Sequence, residues 1–431
     1  MNKKLLFTAI FIAVSIHSLA QNGWKVCTAP HFSNRVDDIF IFNGRTGYAV
    51  CGDGQIVKSI DSGNTWTTIF RDTNTYFRSV EFINEQKGFA GGFPIKGVYK
   101  DIFLRTLDGG NTWTDLTKNL DSIARNGICG LSVADTNTIY GCGNWYSDAY
   151  IIKSTDGGNN WQFINMLPYA SSLIDMYFIS KDTGFVTGKS KPGDTVNTAV
   201  ILYTTDGGIT WTTKFKNKDR NEYCWKIQRL TDEIYFASIQ DLTTVYPSIL
   251  KSYDGGMSWT KYYVCDSFYN IEGVGFVDPL KGFTGGGAGG SFESDDGGKT
   301  WNYSSVCPYM DRVFKVSDSV MFATGFQIWK YEKGKNGSIV PVTNPSIINL
   351  YCYPNPVNEI LTINFAIARS TRAVLNMYDA QGKLVKSIVN ADKPAGDYQY
   401  LINTDNLVRG MYFVLLKTHE DQQIVKVLVS H

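Results

Sequence analysis

One pattern of eight residues, Ser/Thr-x-Asp-x-Gly-x-x-Trp, occurs six times along the chain. The copies are Ser59-Ile-Asp61-Ser-Gly63-Asn-Thr-Trp66, Thr106-Leu-Asp108-Gly-Gly110-Asn-Thr-Trp113, Ser154-Thr-Asp156-Gly-Gly158-Asn-Asn-Trp161, Thr204-Thr-Asp206-Gly-Gly208-Ile-Thr-Trp211, Ser252-Tyr-Asp254-Gly-Gly256-Met-Ser-Trp259 and Ser294-Asp-Asp296-Gly-Gly298-Lys-Thr-Trp301. The aspartate can accept hydrogen bonds from free turn amides, and the glycine supplies the positive φ of a tight turn. The tryptophan opens the next strand as a large apolar plug. Each copy therefore predicts a tight hairpin.

The spacing of the copies predicts the architecture. Successive tryptophans are 47, 48, 50, 48 and 42 residues apart, and each interval contains short alternating strands. A period in the forties with about four strands per unit is typical of a β-propeller. The pattern resembles the Asp-box (BNR) repeat of sialidases, sortilin-type receptors and photosystem II assembly-factor-like propellers. We expect a structural role for the paired positions Asp61 and Trp66, Asp108 and Trp113, Asp156 and Trp161, Asp206 and Trp211, Asp254 and Trp259, and Asp296 and Trp301.

A seventh unit is incomplete at the C-terminal side of the repeats. Residues 312–316, 320–325 and 327–331 supply three strands but no box. Residues 22–26 look like the strand that follows a box, with Trp24 in the tryptophan position. Closing the ring with strands from both ends would leave no open sheet edge. The sequence thus predicts seven blades in an all-β fold, with six blades and a frayed end as the alternative.

The first twenty residues predict a signal peptide. Lys3 and Lys4 are followed by a short apolar run over 5–16, and a small-residue site favours cleavage between Ala20 and Gln21. No later run reaches the ~18 apolar residues of a membrane span. We therefore expect an exported protein without an integral membrane segment.

The last part of the chain is a different module. Residues 334–347 have the composition of a linker, and residues 348–431 alternate as short strands of a small Ig-like β-sandwich. This module resembles the type A C-terminal sorting domain of the type IX secretion system of Bacteroidetes. The resemblance rests on Pro354-Asn355-Pro356, Gly382-Lys383, Gly410-x-Tyr412 and the close at Lys426. It implies export to the cell surface or medium with the secretion machinery as partner; an adhesion domain is the alternative.

These boundaries give a signal peptide at 1–20, a propeller at 21–333, a linker at 334–347 and a sorting domain at 348–431.

Lys and Arg total 41 against 40 Asp and Glu, so the chain has no large excess of positive charge that would attract nucleic acid. The four histidines, His17, His31, His419 and His431, are too scattered for a metal cluster or a His-based triad. We expect no cofactor, no metal and no catalytic residue. The resemblance to Asp-box proteins suggests a sialidase, but Phe93-Pro94-Ile95 lacks the arginine of the sialidase motif.

Aromatic residues on inserted loops are the candidate ligand contacts. Units two to five carry insertions between their second and third strands, at 92–101, 144–149, 189–197 and 240–248. These segments present Phe93, Tyr99, Trp145, Tyr146 and Tyr246. Loops on a rigid scaffold commonly carry recognition, with Trp and Tyr as anchors. The alternative is that these rings only pack the loops together.

The sequence predicts a monomeric, non-catalytic binding or scaffold propeller with a glycan or protein ligand. A glycoside hydrolase is the alternative, and a convergent acid pair about 5–9.5 Å apart would favour it. All eight cysteines follow the leader. Cys129 and Cys142 flank a turn and are predicted to lie opposite each other, where a disulfide is possible. Packed free thiols are the alternative for every cysteine.

Overall fold

The computed structural model describes residues 23–430 except 96, 145–147, 195–197, 218–220, 243–246, 266–268, 288–289, 305–306, 308, 335–347, 354–355, 368–369, 395 and 420–421. The described part is almost entirely β. Strands β1 to β35 form nine antiparallel sheets, and two single 3₁₀ turns lie at Thr117–Asn119 and Ala124–Asn126.

The first three complete blades are four-stranded sheets whose strands pair in chain order. Blade 1 consists of β2 (Val36–Phe42), β3 (Thr46–Cys51), β4 (Gln55–Ser59) and β5 (Thr67–Arg71). Blade 2 consists of β6 (Thr75–Phe82), β7 (Gly88–Pro94), β8 (Phe103–Thr106) and β9 (Thr114–Asp115). Blade 3 consists of β10 (Gly130–Val133), β11 (Ile139–Gly143), β12 (Tyr150–Ser154) and β13 (Gln162–Asn165).

The next three blades repeat this order. Blade 4 consists of β14 (Ala170–Phe178), β15 (Gly184–Ser190), β16 (Ala199–Thr204) and β17 (Thr212–Lys216). Blade 5 consists of β18 (Glu222–Arg229), β19 (Tyr235–Asp241), β20 (Ser248–Ser252) and β21 (Thr260–Tyr263). Blade 6 consists of β22 (Gly273–Phe276), β23 (Gly282–Gly285), β24 (Ser291–Ser294) and β25 (Asn302–Ser304).

Blade 7 joins the two ends of the propeller. It consists of β26 (Arg312–Ser317), β27 (Val320–Thr324), β28 (Ile328–Glu332) and the N-terminal β1 (Trp24–Val26). Trp24 lies opposite Tyr331 in the ladder between β1 and β28. The first strands of neighbouring blades contact one another around the whole ring, including β26 with β2. The predicted seven-bladed propeller, closed by strands from both ends, is confirmed.

Hydrogen bonds within each Asp box explain its sequence. Asp156 Oδ1 accepts bonds from the Ser154 hydroxyl (2.8 Å) and the Asn160 amide N–H (2.9 Å), and Oδ2 accepts one from the Asn160 side chain (2.7 Å). The Ser154 hydroxyl oxygen in turn accepts the Gly158 N–H at 2.8 Å, where φ is 83°. The other five boxes repeat these bonds with Thr or Ser four residues after the aspartate.

A cation before the box joins neighbouring blades, and this signal was missed in the sequence. In four of the six boxes, the residue directly before the Ser or Thr is Lys or Arg, and it reaches the box turn of the next blade. Lys58 Nζ donates to the Gly109 carbonyl at 2.7 Å, and Lys251 Nζ donates to Gly297 at 2.9 Å. Arg105 and Lys153 repeat the contact. These bonds satisfy turn carbonyls that the hairpin itself leaves unpaired.

Acid should weaken the propeller through its boxes. Hydrogen bonds from the side chain and amide four residues later lower the pKa of Asp206 from 3.8 to about 2. A carboxyl with a lowered folded-state pKa contributes stability above its ordinary pKa and loses it as pH falls through the lowered value. We expect the melting temperature to fall between about pH 4 and pH 2. The Asp206→Ala variant should have a lower melting temperature than the wild type at pH 7, and that temperature should fall less on acidification. An unchanged melting temperature at pH 7 would contradict the structural role of Asp206.

The C-terminal module is a two-sheet sandwich. One sheet contains β29 (Ile348–Tyr353), β30 (Ile360–Ile367) and β33 (Gly396–Asn403). The other contains β31 (Thr371–Asp379), β32 (Leu384–Lys393), β34 (Gly410–Lys417) and β35 (Gln422–Val429), in the order β32-β31-β34-β35. Leu361, Ile363, Leu375, Val414 and Val427 lie in the buried core between them. The predicted small β-sandwich is confirmed.

The predicted position of Cys129 directly opposite Cys142 is wrong by one residue. Cys142 lies opposite Gly130, so Cys129 is one residue out of step and its side chain points to the other side of the sheet. Cys129 packs with Ile174 and Trp225, whereas Cys142 packs in a separate cluster that includes Leu173. All eight cysteines are free thiols in the structure.

Candidate functional site

The propeller has two unlike faces. The Asp boxes connect the third and fourth strands, and they share one face with the turns between first and second strands; we call it the box face. The opposite face, the loop face, carries the turns between second and third strands and the connections from each fourth strand to the next blade. The first strands begin at the loop face, so residues just before or at their starts surround the mouth of the central axis.

An axial charge cluster lies at this mouth. Arg35 Nη1 contacts both carboxylate oxygens of Glu272, at 2.9 and 2.8 Å, and Asp311 Oδ1 at 3.2 Å. Its Nε lies 2.9 Å from Asp37 Oδ1, and buried Arg78 also pairs with that carboxylate. These five residues come from blades 1, 2, 6 and 7, so only ring closure brings them together.

The cluster brings two carboxylates close together. Glu272 and Asp311 both lie within 3.2 Å of one guanidinium nitrogen, so their nearest oxygens are at most about 6 Å apart, which reaches only the short end of the ~5–9.5 Å separation of glycosidase carboxylates. Burial raises the pKa of Asp311 to about 7, with Glu272 and Asp37 adding to the rise and Arg35 opposing it. Both carboxylates are nevertheless buried and already bound by Arg35.

A second charged layer lies deeper along the axis. Arg312 Nε lies 3.1 Å from Asp38, and its Nη1 lies 2.7 Å from Asp175. Asp38 also accepts the Val80 N–H at 3.1 Å, and Asp175 accepts the Ile227 N–H at 3.1 Å. Each aspartate thus binds a backbone amide of the following blade. These carboxylates connect blades, and the Arg312 ion pairs together with the amide hydrogen bonds account for their burial.

A groove of about 590 Å³ opens on the loop face where the ring closes. We call it the closure groove; its main side chains are His31, Phe32, Tyr309, Phe326, Gln327 and Trp329. The rings of Tyr309 and Phe326 meet edge to face with centroids 4.6 Å apart. Phe326 is 44% exposed, and His31 and Gln327 are exposed beside it. The lining combines aromatic surface with polar hydrogen-bonding groups.

The closure groove is connected to the axial charge cluster through the backbone. The Val36 N–H, beside Arg35, donates to the Gly325 carbonyl at 2.6 Å, and the Asp311 N–H donates to the Thr324 carbonyl at 2.7 Å. The turn that carries Phe326 is therefore held by the same segments that carry the charged residues. A ligand in the groove would lie next to a rigid, ion-paired axis.

The structure corrects one candidate residue and leaves others as predictions. Phe93 is not on a loop, because β7 extends through Pro94; it is 8% exposed and packs with Cys129, Ile174 and Trp225. Tyr99 is exposed in the segment between β7 and β8 and stays a candidate contact. Trp145, Tyr146 and Tyr246 lie outside the described residues. Among the described residues, no cluster of three His, Cys, Asp or Glu side chains could hold a metal ion.

Two known families match parts of the chain. The secretion system C-terminal sorting domain family matches residues 351–430, and the BNR/Asp-box repeat family matches residues 202–213. The chain is an Asp-box propeller with a C-terminal sorting domain. The sorting domain directs export by the type IX secretion system to the cell surface or medium. No helix in the described part of the chain is long and apolar enough to span a membrane.

Solved structures share the propeller fold at low sequence identity. YCF48 bound to D1 peptide aligns with a TM-score of 0.56 and 18% identity, covering 74% of this chain and 99% of that chain. YCF48 from Cyanidioschyzon merolae aligns with a TM-score of 0.56 and 18% identity, covering 72% of this chain and 99% of that chain. The GH74 xyloglucanase from Xanthomonas campestris aligns with a TM-score of 0.54 and 12% identity, covering 80% of this chain and 59% of that chain. No curated protein matches the chain. These likenesses concern the fold alone.

Proposed function

We propose that this Asp-box propeller is a non-catalytic binding module, exported by the type IX system, that takes a glycan or protein ligand on its loop face. The closure groove carries the proposal, because it offers exposed aromatic surface with polar hydrogen-bonding groups in a concave site. Ligand sites commonly have this composition: mostly apolar walls with a few orienting polar groups.

The axial charge cluster supports binding rather than hydrolysis. A glycosidase acid must reach the scissile oxygen, and its partner carboxylate must reach water or the sugar carbon. Glu272 and Asp311 instead point at Arg35, which occupies the space between them. Opening that arrangement would leave buried charges without their partner, at a cost of several kcal/mol.

Hydrolysis is the second candidate, favoured by one observation. Burial raises the pKa of Asp311, which lies beside Glu272, and a raised pKa is what a general acid beside a second carboxylate requires. Solved structures with this fold include a GH74 xyloglucanase and YCF48 bound to a peptide, so the fold is compatible with hydrolysis and with binding.

An assay that follows binding and turnover together separates the candidates. Full-length protein would be incubated with an array of oligosaccharides and peptides, and both retention and new products would be measured. We expect retention without product, and equal retention by Glu272→Gln variants that remain folded. Product formation by the wild type that disappears in Glu272→Gln would establish the hydrolase instead.

A further inference from the structure

Phe326 presents an accessible aromatic ring in the closure groove. The side chain is exposed, and the ring of Tyr309 meets it edge to face, with the two ring planes 75° apart. In either orientation of an edge-to-face pair, Tyr309 covers at most one face of the Phe326 ring. The turn that carries the ring is closed by a hydrogen bond from the Gly325 N–H to the Gln327 carbonyl at 3.1 Å. The groove therefore offers a ligand a flat apolar surface on a defined turn.

Three hydrogen-bonding side chains surround this ring. Gln327 and His31 are exposed, and Trp329 is half-buried. Within the described part of the chain, the Gln327 amide, the His31 imidazole and the Trp329 indole N–H form no hydrogen bond to another protein group. A primary amide and an imidazole each donate and accept hydrogen bonds, as the hydroxyl groups of a sugar do. The side chains therefore match a ligand that is rich in hydroxyl groups.

The composition of the lining disfavours a charged ligand. Among the described lining residues, none is Asp, Glu, Lys or Arg, and His31 is the side chain that can gain a proton near neutral pH. A carboxylate or ammonium group in the groove would lose hydration without gaining a fixed opposite charge. An uncharged ligand avoids that cost.

The main chain beside the groove offers little to an extended peptide. The amide N–H groups of Cys27 and Thr28 already donate to main-chain carbonyls, at 2.8 and 3.0 Å, and the Thr28 carbonyl accepts an amide N–H at 2.8 Å. Pro30 has no N–H, and the His31 carbonyl accepts a hydrogen bond from the Gln55 side chain at 3.1 Å. A peptide that binds by strand addition needs a run of free backbone groups. This segment does not provide one, which favours a glycan over a peptide.

We infer that the closure groove binds a neutral oligosaccharide, with one pyranose ring stacked on Phe326 and its hydroxyl groups bonded by Gln327 and His31. The inference rests on the proposed function and narrows its ligand class. The C–H groups on one side of a pyranose carry a small positive charge, which the negative face of an aromatic ring attracts. The groove volume of about 590 Å³ is within the ~300–1,000 Å³ of small-ligand sites, so it suits a short stretch of glycan.

Two substitutions of Phe326 in the full-length protein test the stacking. Phe326→Leu keeps an apolar side chain but removes the ring, and Phe326→Tyr keeps the ring. The probes are an array of neutral oligosaccharides, hexagalacturonate as the anionic glycan, and a library of decapeptides, all at pH 8. We expect the wild type to retain neutral oligosaccharides, with an affinity loss of at least about tenfold in Phe326→Leu and less than about threefold in Phe326→Tyr. Thermal melting of both variants would verify folding.

The outcomes separate this inference from the proposed function. Equal affinity of folded Phe326→Leu and the wild type for a retained oligosaccharide would overturn the stacking. Retention of peptides alone, or of hexagalacturonate as tightly as neutral glycans, would overturn the neutral ligand and leave a binding module. Retention of no probe would overturn both. Hydrolysis of a neutral oligosaccharide whose affinity depends on the Phe326 ring would contradict the non-catalytic function and support the ligand class.

Discussion

Trp24→Ala is expected to lower the free energy of unfolding by about 3–5 kcal/mol. Trp24 is buried in the closing blade, with its ring 4.9 Å from that of Phe283 and 5.2 Å from that of Tyr331. It is also the first residue of β1, a strand of only three residues that completes blade 7. Its removal leaves a cavity and weakens the pairing that closes the ring, so blades 6 and 7 should loosen together.

Chemical denaturation of the full-length protein measures this effect, and Lys25→Ala supplies the control. Lys25 is the next residue on β1, but its ammonium group bonds the exposed Asn64 side chain at 2.8 Å. Its loss should cost less than about 1 kcal/mol. Equal midpoints for Trp24→Ala and the wild type would mean that the ring does not depend on β1 for closure.

Arg78→Met is expected to destabilise the propeller by about 3–5 kcal/mol, because it removes one partner of a buried ion pair. Arg78 and Asp37 are both buried, and the Arg78 guanidinium also lies 5.3 Å from the ring centroid of Trp225. Burial alone would lower the pKa of Arg78, but the Asp37 carboxylate raises it above its ordinary value. Without Arg78, Asp37 keeps its contact with Arg35 but loses its fully buried cationic partner.

The double variant Asp37→Asn with Arg78→Met distinguishes charge from packing. Neutralising Asp37 removes the unpaired buried charge, so the double variant should be more stable than Arg78→Met alone in a double-mutant cycle. Additive losses would show that the two residues do not act as a pair.

The repeats made the propeller predictable from sequence, because each Asp box carries its own turn chemistry. The closing strand was predictable for the same reason, since Trp24 occupies the position of a box tryptophan. The axial charge cluster was not predictable. Arg35 precedes Glu272 by 237 residues and Asp311 by 276, and only the closed ring brings it within hydrogen-bonding distance of both.

Two predictions from the sequence were wrong about where a single residue lies. Phe93 was assigned to the predicted insertion at 92–101, yet strand β7 continues through it and the ring fills the space beside Gly127. Cys129 missed its expected partner by one position, which in a strand reverses the side-chain direction. The closure groove was missed because its residues come from both ends of the propeller. Phe326, a large apolar residue at a short turn, was the available signal.

Ligand capture by two matched surface variants tests the central claim most directly. Phe326→Ser alters the closure groove on the loop face, and Leu280→Ser alters a 61% exposed apolar residue on the box face. Both purified full-length variants would be titrated against the oligosaccharide or peptide that the wild type retains. Binding at the loop face predicts an affinity loss of about tenfold or more for Phe326→Ser and no change for Leu280→Ser. Unchanged affinity in Phe326→Ser with a loss in Leu280→Ser would place the ligand on the box face and contradict the account.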